Sequence, residues 1–350
     1  MSFQQTAIVT GSTSGIGLEI ARQLAETGYN VVTNGTRAAN QVPKKIQLPN
    51  THYVQGDIGD PATSMKLVEE TYRRFGKNLG PLVVVANAGV EVADTDSADR
   101  VEAMIRTNQE GPEHLFRAAA SDLMRHERSL FVAVGSIVGT LGIILPGNKN
   151  YQATKVAVEA MVRGVVANFV GVHAITLSPG AIATPMTQGS PVYGLLFRLV
   201  AMAAVSDDEF RQGLIDYLKR YSEDNDLGIH PQYIGKNAGE IFSNMLATEQ
   251  TALSCNPAAE TLAKVLKKFP SMEGNTAMIL AAKTAQHQPT QEWMAKILKA
   301  LDVLVSPAMV ARTLIDEIQN RRVPDGGVLR AFQSGSRAVS PIERLFCTQA

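Results

Sequence analysis

The chain has 350 residues, and its 33 lysines and arginines balance 33 aspartates and glutamates. A net charge of zero removes the basic excess that nucleic acid or an anionic membrane would call for, and 45% hydrophobic residues is enough for a full core. The two cysteines, Cys255 and Cys347, exclude a disulfide framework and a cysteine-rich zinc site and fit a reducing compartment.

The opening MSFQQTAIVTG has no basic flank leading into a long apolar run, so no secretory signal is read. The most apolar later stretch, Gly194–Val205, is interrupted by Arg198 and falls short of the roughly 20 residues that span a bilayer. A soluble cytoplasmic protein is expected. Asn34-Gly35-Thr36 matches a glycosylation acceptor, a three-letter match that no export signal supports.

In chain order, short apolar runs alternate with helical patterns, as in a parallel sheet covered by helices. Ala7–Thr10 is the first strand and runs straight into Gly11. Ile16–Thr27 follows as a helix, with Ile16, Ile20 and Leu24 four apart and Gly28 where it stops. Further strands are expected at Asn30–Thr33, His52–Val54, Leu82–Val85, Leu130–Val134 and Ala174–Leu177.

After Met186 only helical patterns appear up to Val305, among them Asp207–Tyr221 behind Ser206 as N-cap, Glu240–Ala247, Ala258–Phe269 and Gln291–Val305. A helix at Pro307–Gln319 and a strand at Gly327–Phe332 then resume the alternation. The expected fold is α/β, a doubly wound parallel sheet of Rossmann type with a large helical insertion. Residues 1–186 are expected to form the core, 187–305 the insertion, a lid or subdomain, 306–337 the last helix and strand of the core, and 338–350 a tail.

Between the first strand and the first helix lies Gly11-Ser12-Thr13-Ser14-Gly15-Ile16-Gly17. Glycines let a turn tighten and let backbone approach a pyrophosphate, whose charge the helix N-terminus favours. An ordinary tight turn is the competing reading, and the strand-before, helix-after context weighs against it. The spacing is G-x-x-x-G-x-G. With it come Asn87-Ala88-Gly89 after the fourth strand, Gly135–Gly142, Tyr151-x-x-x-Lys155, and Pro179-Gly180 after the sixth. Together these resemble the short-chain dehydrogenase/reductase superfamily, in wording nearest to the 3-oxoacyl-carrier-protein reductases. The resemblance covers Ala7–Met186 and resumes over Ser306–Gly335.

Tyr151 and Lys155 stand four apart, so on a helix they share a face. A free tyrosine has a pKa near 10, and a neighbouring ammonium favours the phenolate, which suits a general acid or base. Ser136 follows an apolar strand, so its hydroxyl is expected at the carboxyl edge of the sheet, able to donate to a substrate carbonyl. The resemblance implies the rest. Asn108 matches an asparagine that interrupts a helix and organises a proton relay; Lys155 also holds the nicotinamide ribose. Hydride passes between the nicotinamide and a carbonyl carbon while Tyr151 handles the proton.

It also implies the cofactor contacts. Gly11, Thr13, Ser14, Gly15, Ile16 and Gly17 cradle the pyrophosphate. Asp57 and Ile58 flank adenine, Asn87, Ala88 and Gly89 back the adenosine ribose, and Pro179, Gly180, Ile182 and Thr184 meet the carboxamide and pyrophosphate. The acidic position of NAD-preferring relatives falls at Gly35, and Thr36 with Arg37 offers a hydroxyl and a guanidinium to a 2′-phosphate. NADP(H) is therefore expected, with NAD(H) the alternative, although Ser14 lacks the basic side chain some NADP users carry.

Three intervals depart from the family: Ser136 to Tyr151 is longer, with Ile143–Leu145 the apparent extension; Asn87 to Asn108 is shorter; and Met186 to Ser306 is far longer. The histidines, His114 and His126 among them, show no ligand spacing, so no metal is expected. The apolar start of the insertion, Val192–Val205, points to a bulky or lipophilic substrate, to a partner subunit, or to plain core packing. The function expected is interconversion of a small-molecule ketone and a secondary alcohol by a homo-oligomer, dimer or tetramer. The alternative is a non-catalytic dinucleotide-binding sensor or scaffold that uses the insertion as an interaction surface.

Overall fold

The computed structural model describes residues 4–77, 79–140, 147–180, 182, 184, 186 and 306–331. The insertion 187–305 and its expected helices, residues 332–337, the tail 338–350 and the extension at Ile143–Leu145 lie outside the described residues.

The described chain alternates strand and helix. It runs β1 (Gln4–Val9), α1 (Gly15–Glu26), β2 (Asn30–Gly35), β3 (Thr51–Gln55), α2 (Pro61–Phe75), β4 (Leu79–Ala86), α3 (Ala98–Ile105) and α4 (Gly111–Leu123). It continues with β5 (Leu130–Val134), α5 (Ile137–Thr140), α6 (Lys149–Asn168), β6 (Ala174–Pro179), α7 (Pro307–Asn320) and β7 (Val328–Ala331). All seven strands pair in parallel, in the order β3-β2-β1-β4-β5-β6-β7.

Strand periodicity builds two cores from one sheet. Ala7, Val9, Val31, Val83, Val85, Val132 and Leu177 face one side, against Ile20 and Leu24 of α1 and Val310 and Leu314 of α7. Ile8, Val32, Val84, Phe131 and Ala133 face the other, against Leu67 of α2, Leu115 and Phe116 of α4, and Val158, Val162 and Val165 of α6. Helices cover both faces, which makes the sheet doubly wound.

Helix starts follow their local chemistry. Asp60 accepts the Ala62 N–H ahead of α2 and Ser306 accepts the Met309 N–H ahead of α7, each followed by proline in the first turn. Strands β2 and β6 run two residues past their apolar runs, to Gly35 and Pro179. β4 begins earlier than its apolar run, at Leu79, where the register against β1 shifts between Gln4 and Thr6 at Gly80-Pro81.

Asn34, the first residue of the β2 extension, is buried, and its amide donates to the Val54 and Gly56 carbonyls at 3.1 Å each. The matched glycosylation triplet therefore begins inside the sheet.

Phe131, fully buried on β5, meets the Phe116 ring edge-on at 5.4 Å between centroids. Phe131→Ala is expected to cost about 3–5 kcal/mol in urea unfolding, and a loss under about 1 kcal/mol would show that the helical layer on this face does not depend on this contact.

Candidate active site

The site is assembled where the strand order changes direction, between β1 and β4. β1 ends at Val9 and the chain turns into α1 through Thr10–Ser14. Gly11 takes φ 62°, and a Cβ there would lie 2.7 Å from the Cα of Ala88, so the turn and the end of β4 touch backbone to backbone. Thr10 Oγ1 accepts from the N–H groups of Asn87 and Ala88 at 3.0 and 3.1 Å. The Asn87 amide returns the link, donating to the carbonyls of Thr10 at 2.9 Å and Gly11 at 3.3 Å. On the other flank Ser12 and Asn34 exchange hydrogen bonds at 2.8–3.1 Å.

This arrangement fits a dinucleotide. The Ser14 side chain does not cap α1, so the leading N–H groups of that helix are not taken by it. Thr184 stands across the turn, its Cγ2 3.2 Å from where a Cβ on Gly15 would be. Ile16 and Gly17 begin α1, with Gly17 and Thr13 buried. At the end of β2, a Cβ on Gly35 would lie 2.8 Å from Thr13 Cγ2, so Thr13 fills the space an acidic side chain would need. Thr36 and Arg37 follow at the surface. Arg37 Nη1 donates to the Thr13 carbonyl at 3.4 Å, and the Tyr53 hydroxyl braces the bend 2.6 Å from the Arg37 carbonyl.

Asp57 is exposed, with one carboxylate oxygen accepting the Gly59 N–H at 2.9 Å. Ile58 is buried in the core of the second face, leaving its backbone for any contact outside. Pro179 closes β6 beside Ala331, Gly180 donates to the Ala331 carbonyl, and Ile182 packs into the first core.

The second half of the site surrounds the exits of β4 and β5. Between α3 and α4 the chain makes a π-helical turn, Arg106–Glu110, and buries Asn108 there. Such turns are frequent at functional sites. The Asn108 amide clamps Val90 from both sides, accepting its N–H and donating to its carbonyl at 2.8 Å each, and reaches Thr154 Oγ1 at 3.2 Å.

Lys155, 5% exposed, donates to the Val134 carbonyl at 3.0 Å and stands 5.6 Å from the Tyr151 ring centroid. A Cβ on Gly89 would lie 3.5 Å from Lys155 Nζ and 3.3 Å from Asn108 Oδ1, which brings the end of β4 to both. Ser136 leads out of β5 within hydrogen-bonding reach of Tyr151.

Sequence reasoning missed the loop after β4. Asp94 accepts the N–H groups of Lys149 and Asn150 at 3.0 and 3.1 Å, capping α6 from a different part of the chain, while its own N–H donates to the Gly147 carbonyl at 2.7 Å. Glu91 accepts a hydrogen bond from the amide of Asn148, the buried residue just before α6.

These placements set the protonation chemistry. Burial, then the Glu91 carboxylate, pushes the Tyr151 phenol well above its ordinary value, and a hydrogen bond from Ser136 pulls it back. Burial brings the Lys155 ammonium down to about 8, against the pull of Glu91.

Tyr151, Lys155, Ser136 and Asn108 thus converge beside Gly89, and the glycine turn, Thr184 and Arg37 gather on the β1–β2 side of the crevice. Among the described residues no group of three or more His, Cys, Asp or Glu side chains is placed to hold a metal ion, and no helix is long and apolar enough to cross a membrane.

The depressed folded-state value of Lys155 makes stability depend on pH. The charged ammonium disfavours the folded state up to about pH 8, and the penalty fades as pH rises through 8 towards the unfolded value of 10.5. Urea melts should therefore show wild type gaining stability relative to Lys155→Met between pH 8 and 10; a difference that stays flat with pH would contradict the buried placement.

The short chain dehydrogenase family model matches residues 5–191, more than half of the chain. A 3-oxoacyl-(acyl-carrier-protein) reductase of Staphylococcus aureus is 28% identical over 238 residues, which cover 65% of this chain and 89% of that protein. A short-chain dehydrogenase/reductase of Hericium erinaceus, eriH, is 30% identical over 59% of this chain and 86% of its own length. Among solved structures, an alcohol dehydrogenase from the archaeon Thermococcus sibiricus, complexed with 5-hydroxy-NADP, aligns with a TM-score of 0.46 and 26% identity, over 51% of this chain and 77% of that one. On the family match over residues 5–191, the chain belongs to the short chain dehydrogenase family.

Proposed function

We propose that the chain is an NADP(H)-dependent oxidoreductase that interconverts a ketone and a secondary alcohol, with Tyr151 as the general acid and base. The observation that carries this reading is the convergence of Tyr151, Lys155, Ser136 and Asn108 at the exits of β4 and β5, across the crevice from the glycine turn. The names of relatives such as the S. aureus 3-oxoacyl-(acyl-carrier-protein) reductase support a carbonyl as the reacting group.

A nicotinamide cofactor, when bound, supplies or takes the hydride. The protein's own residues manage the oxygen and its proton. Ser136 donates a hydrogen bond to the carbonyl oxygen and steadies the charge that develops there. Tyr151 delivers its proton to that oxygen, and in the reverse direction the tyrosinate takes the alcohol proton. The Lys155 ammonium, 5.6 Å from the ring centroid, stabilises the phenolate left behind. Asn108 holds Val90 and Thr154 in place around them.

NADP(H) is favoured over NAD(H) because Gly35 carries no carboxylate to repel a 2′-phosphate. Thr13 already fills the space beside it, and Thr36 and Arg37 present a hydroxyl and a guanidinium at the adjoining surface. A purely scaffolding role is disfavoured because the chain keeps the complete set of Asn108, Ser136, Tyr151 and Lys155, of which nucleotide binding alone does not need the tyrosine or the serine. The apolar run Val192–Val205 is read as favouring a bulky or lipophilic substrate. We assign the working form to a cytoplasmic homo-oligomer.

Two variants test this reading. Tyr151→Phe is expected to lower turnover by about 10²- to 10⁴-fold while NADPH affinity stays nearly unchanged, and wild-type turnover would overturn the assignment. Arg37→Ala is expected to weaken NADPH about tenfold or more, with little change for NADH, because only the phosphate loses a charge-assisted hydrogen bond; equal losses for both cofactors would refute the phosphate role.

A further inference from the structure

The loop after β4 grips the catalytic helix at four points. Asp94 takes two N–H groups of the first turn of α6 and donates its own N–H to Gly147; Glu91 accepts from Asn148. Val90, the residue before Glu91, is fixed on both sides by Asn108. The Glu91 carboxylate therefore has a defined seat, tethered three residues ahead of Tyr151 on the chain and half-buried with it. Nothing in the glycine turn, the Tyr-x-x-x-Lys spacing or the nucleotide contacts accounts for a negative charge there.

We propose that Glu91 is a positioning residue that fixes the protonation states of the Tyr151/Lys155 couple, keeping the phenol a proton donor and the lysine an ammonium, so that the resting site is poised for carbonyl reduction. The proposal rests on the oxidoreductase reading above and adds the working direction of that site.

The charged groups that face the couple are few among the described residues. Glu91 comes from the loop after β4 and Lys155 from the same helix as the phenol. Asp94, on the loop, is engaged with the helix amides, and Ser136 and Asn108, from the end of β5 and the π-turn, carry no charge.

The electrostatic consequence has a definite sign. A carboxylate beside a phenol disfavours the phenolate and beside an ammonium favours the charged form, so Glu91 moves both groups up. Glu91→Gln keeps an acceptor for Asn148 and removes only the charge. Both limbs of the pH profile for alcohol oxidation should then move to lower pH, by about one unit each. Glu91→Asp keeps the charge and should leave the limbs near their wild-type positions.

Two readouts on wild type, Glu91→Gln and Glu91→Asp test this. The first is the pH dependence of kcat and kcat/KM for alcohol oxidation. The second needs no turnover: a ¹³C NMR titration of labelled lysines, with the Lys155 signal assigned by its loss in Lys155→Met. The expected result is a fall of about one unit in the Lys155 midpoint, from its value of about 8, in Glu91→Gln but not in Glu91→Asp. Glu91→Thr replaces the Gln variant should that one fail to fold. Midpoints in Glu91→Gln that coincide with wild type overturn the proposal, as do equal shifts in the Gln and Asp variants, which would trace the effect to packing. If the Lys155 midpoint shifts while no carbonyl or alcohol is turned over, the charge role of Glu91 stands and the oxidoreductase reading fails.

Discussion

Everything at the site depends on the parallel pairing of β1 with β4. This is the place where the sheet order reverses, so the chain leaving β1 turns to one face of the sheet and the chain leaving β4 to the other, which opens a crevice at the carboxyl edge. Thr10 and Asn87 lock the two exits together through four hydrogen bonds, all involving side chains that sit just past the last apolar residue of each strand. One exit becomes the glycine turn. The other becomes the loop that carries Gly89, Glu91 and Asp94, so the glycine turn and the tyrosine helix are positioned from a single junction.

Much of this was legible in the sequence, for a physical reason. A strand covered on both faces is apolar where it is buried, so Leu130–Val134 could be read to the residue, while β1 and β4 each begin three residues before their apolar runs. The glycine turn and the Tyr151–Lys155 pair stood out because each is spaced along one turn or one helix, whereas Ser136 was placed by the strand before it and Asn108 by the resemblance alone.

Other residues are polar and act through partners distant in sequence. β2 and β6 outrun their apolar residues because buried polar groups complete their hydrogen bonding. Asn34, which satisfies two carbonyls from the next strand region, reads in one dimension as a surface asparagine. Asp94 caps a helix 55 positions away, and α6 shows no cap of its own in the residue that precedes it. Glu91 was invisible for the same reason, since its neighbours Tyr151 and Asn148 arrive from another helix end.

The electrostatics of the site oppose one another in a useful way. Burial lowers the Lys155 ammonium and holds Tyr151 protonated. The Glu91 carboxylate preserves the ammonium, and the Ser136 hydroxyl gives the phenolate a donor. The most direct test of the central claim, that the β1–β4 junction builds a crevice for a phosphorylated dinucleotide, is a fluorescence titration of the purified protein with NADPH beside NADH in one buffer. The account predicts saturable binding with clear preference for NADPH. Tighter binding of NADH, or binding of neither, would contradict it.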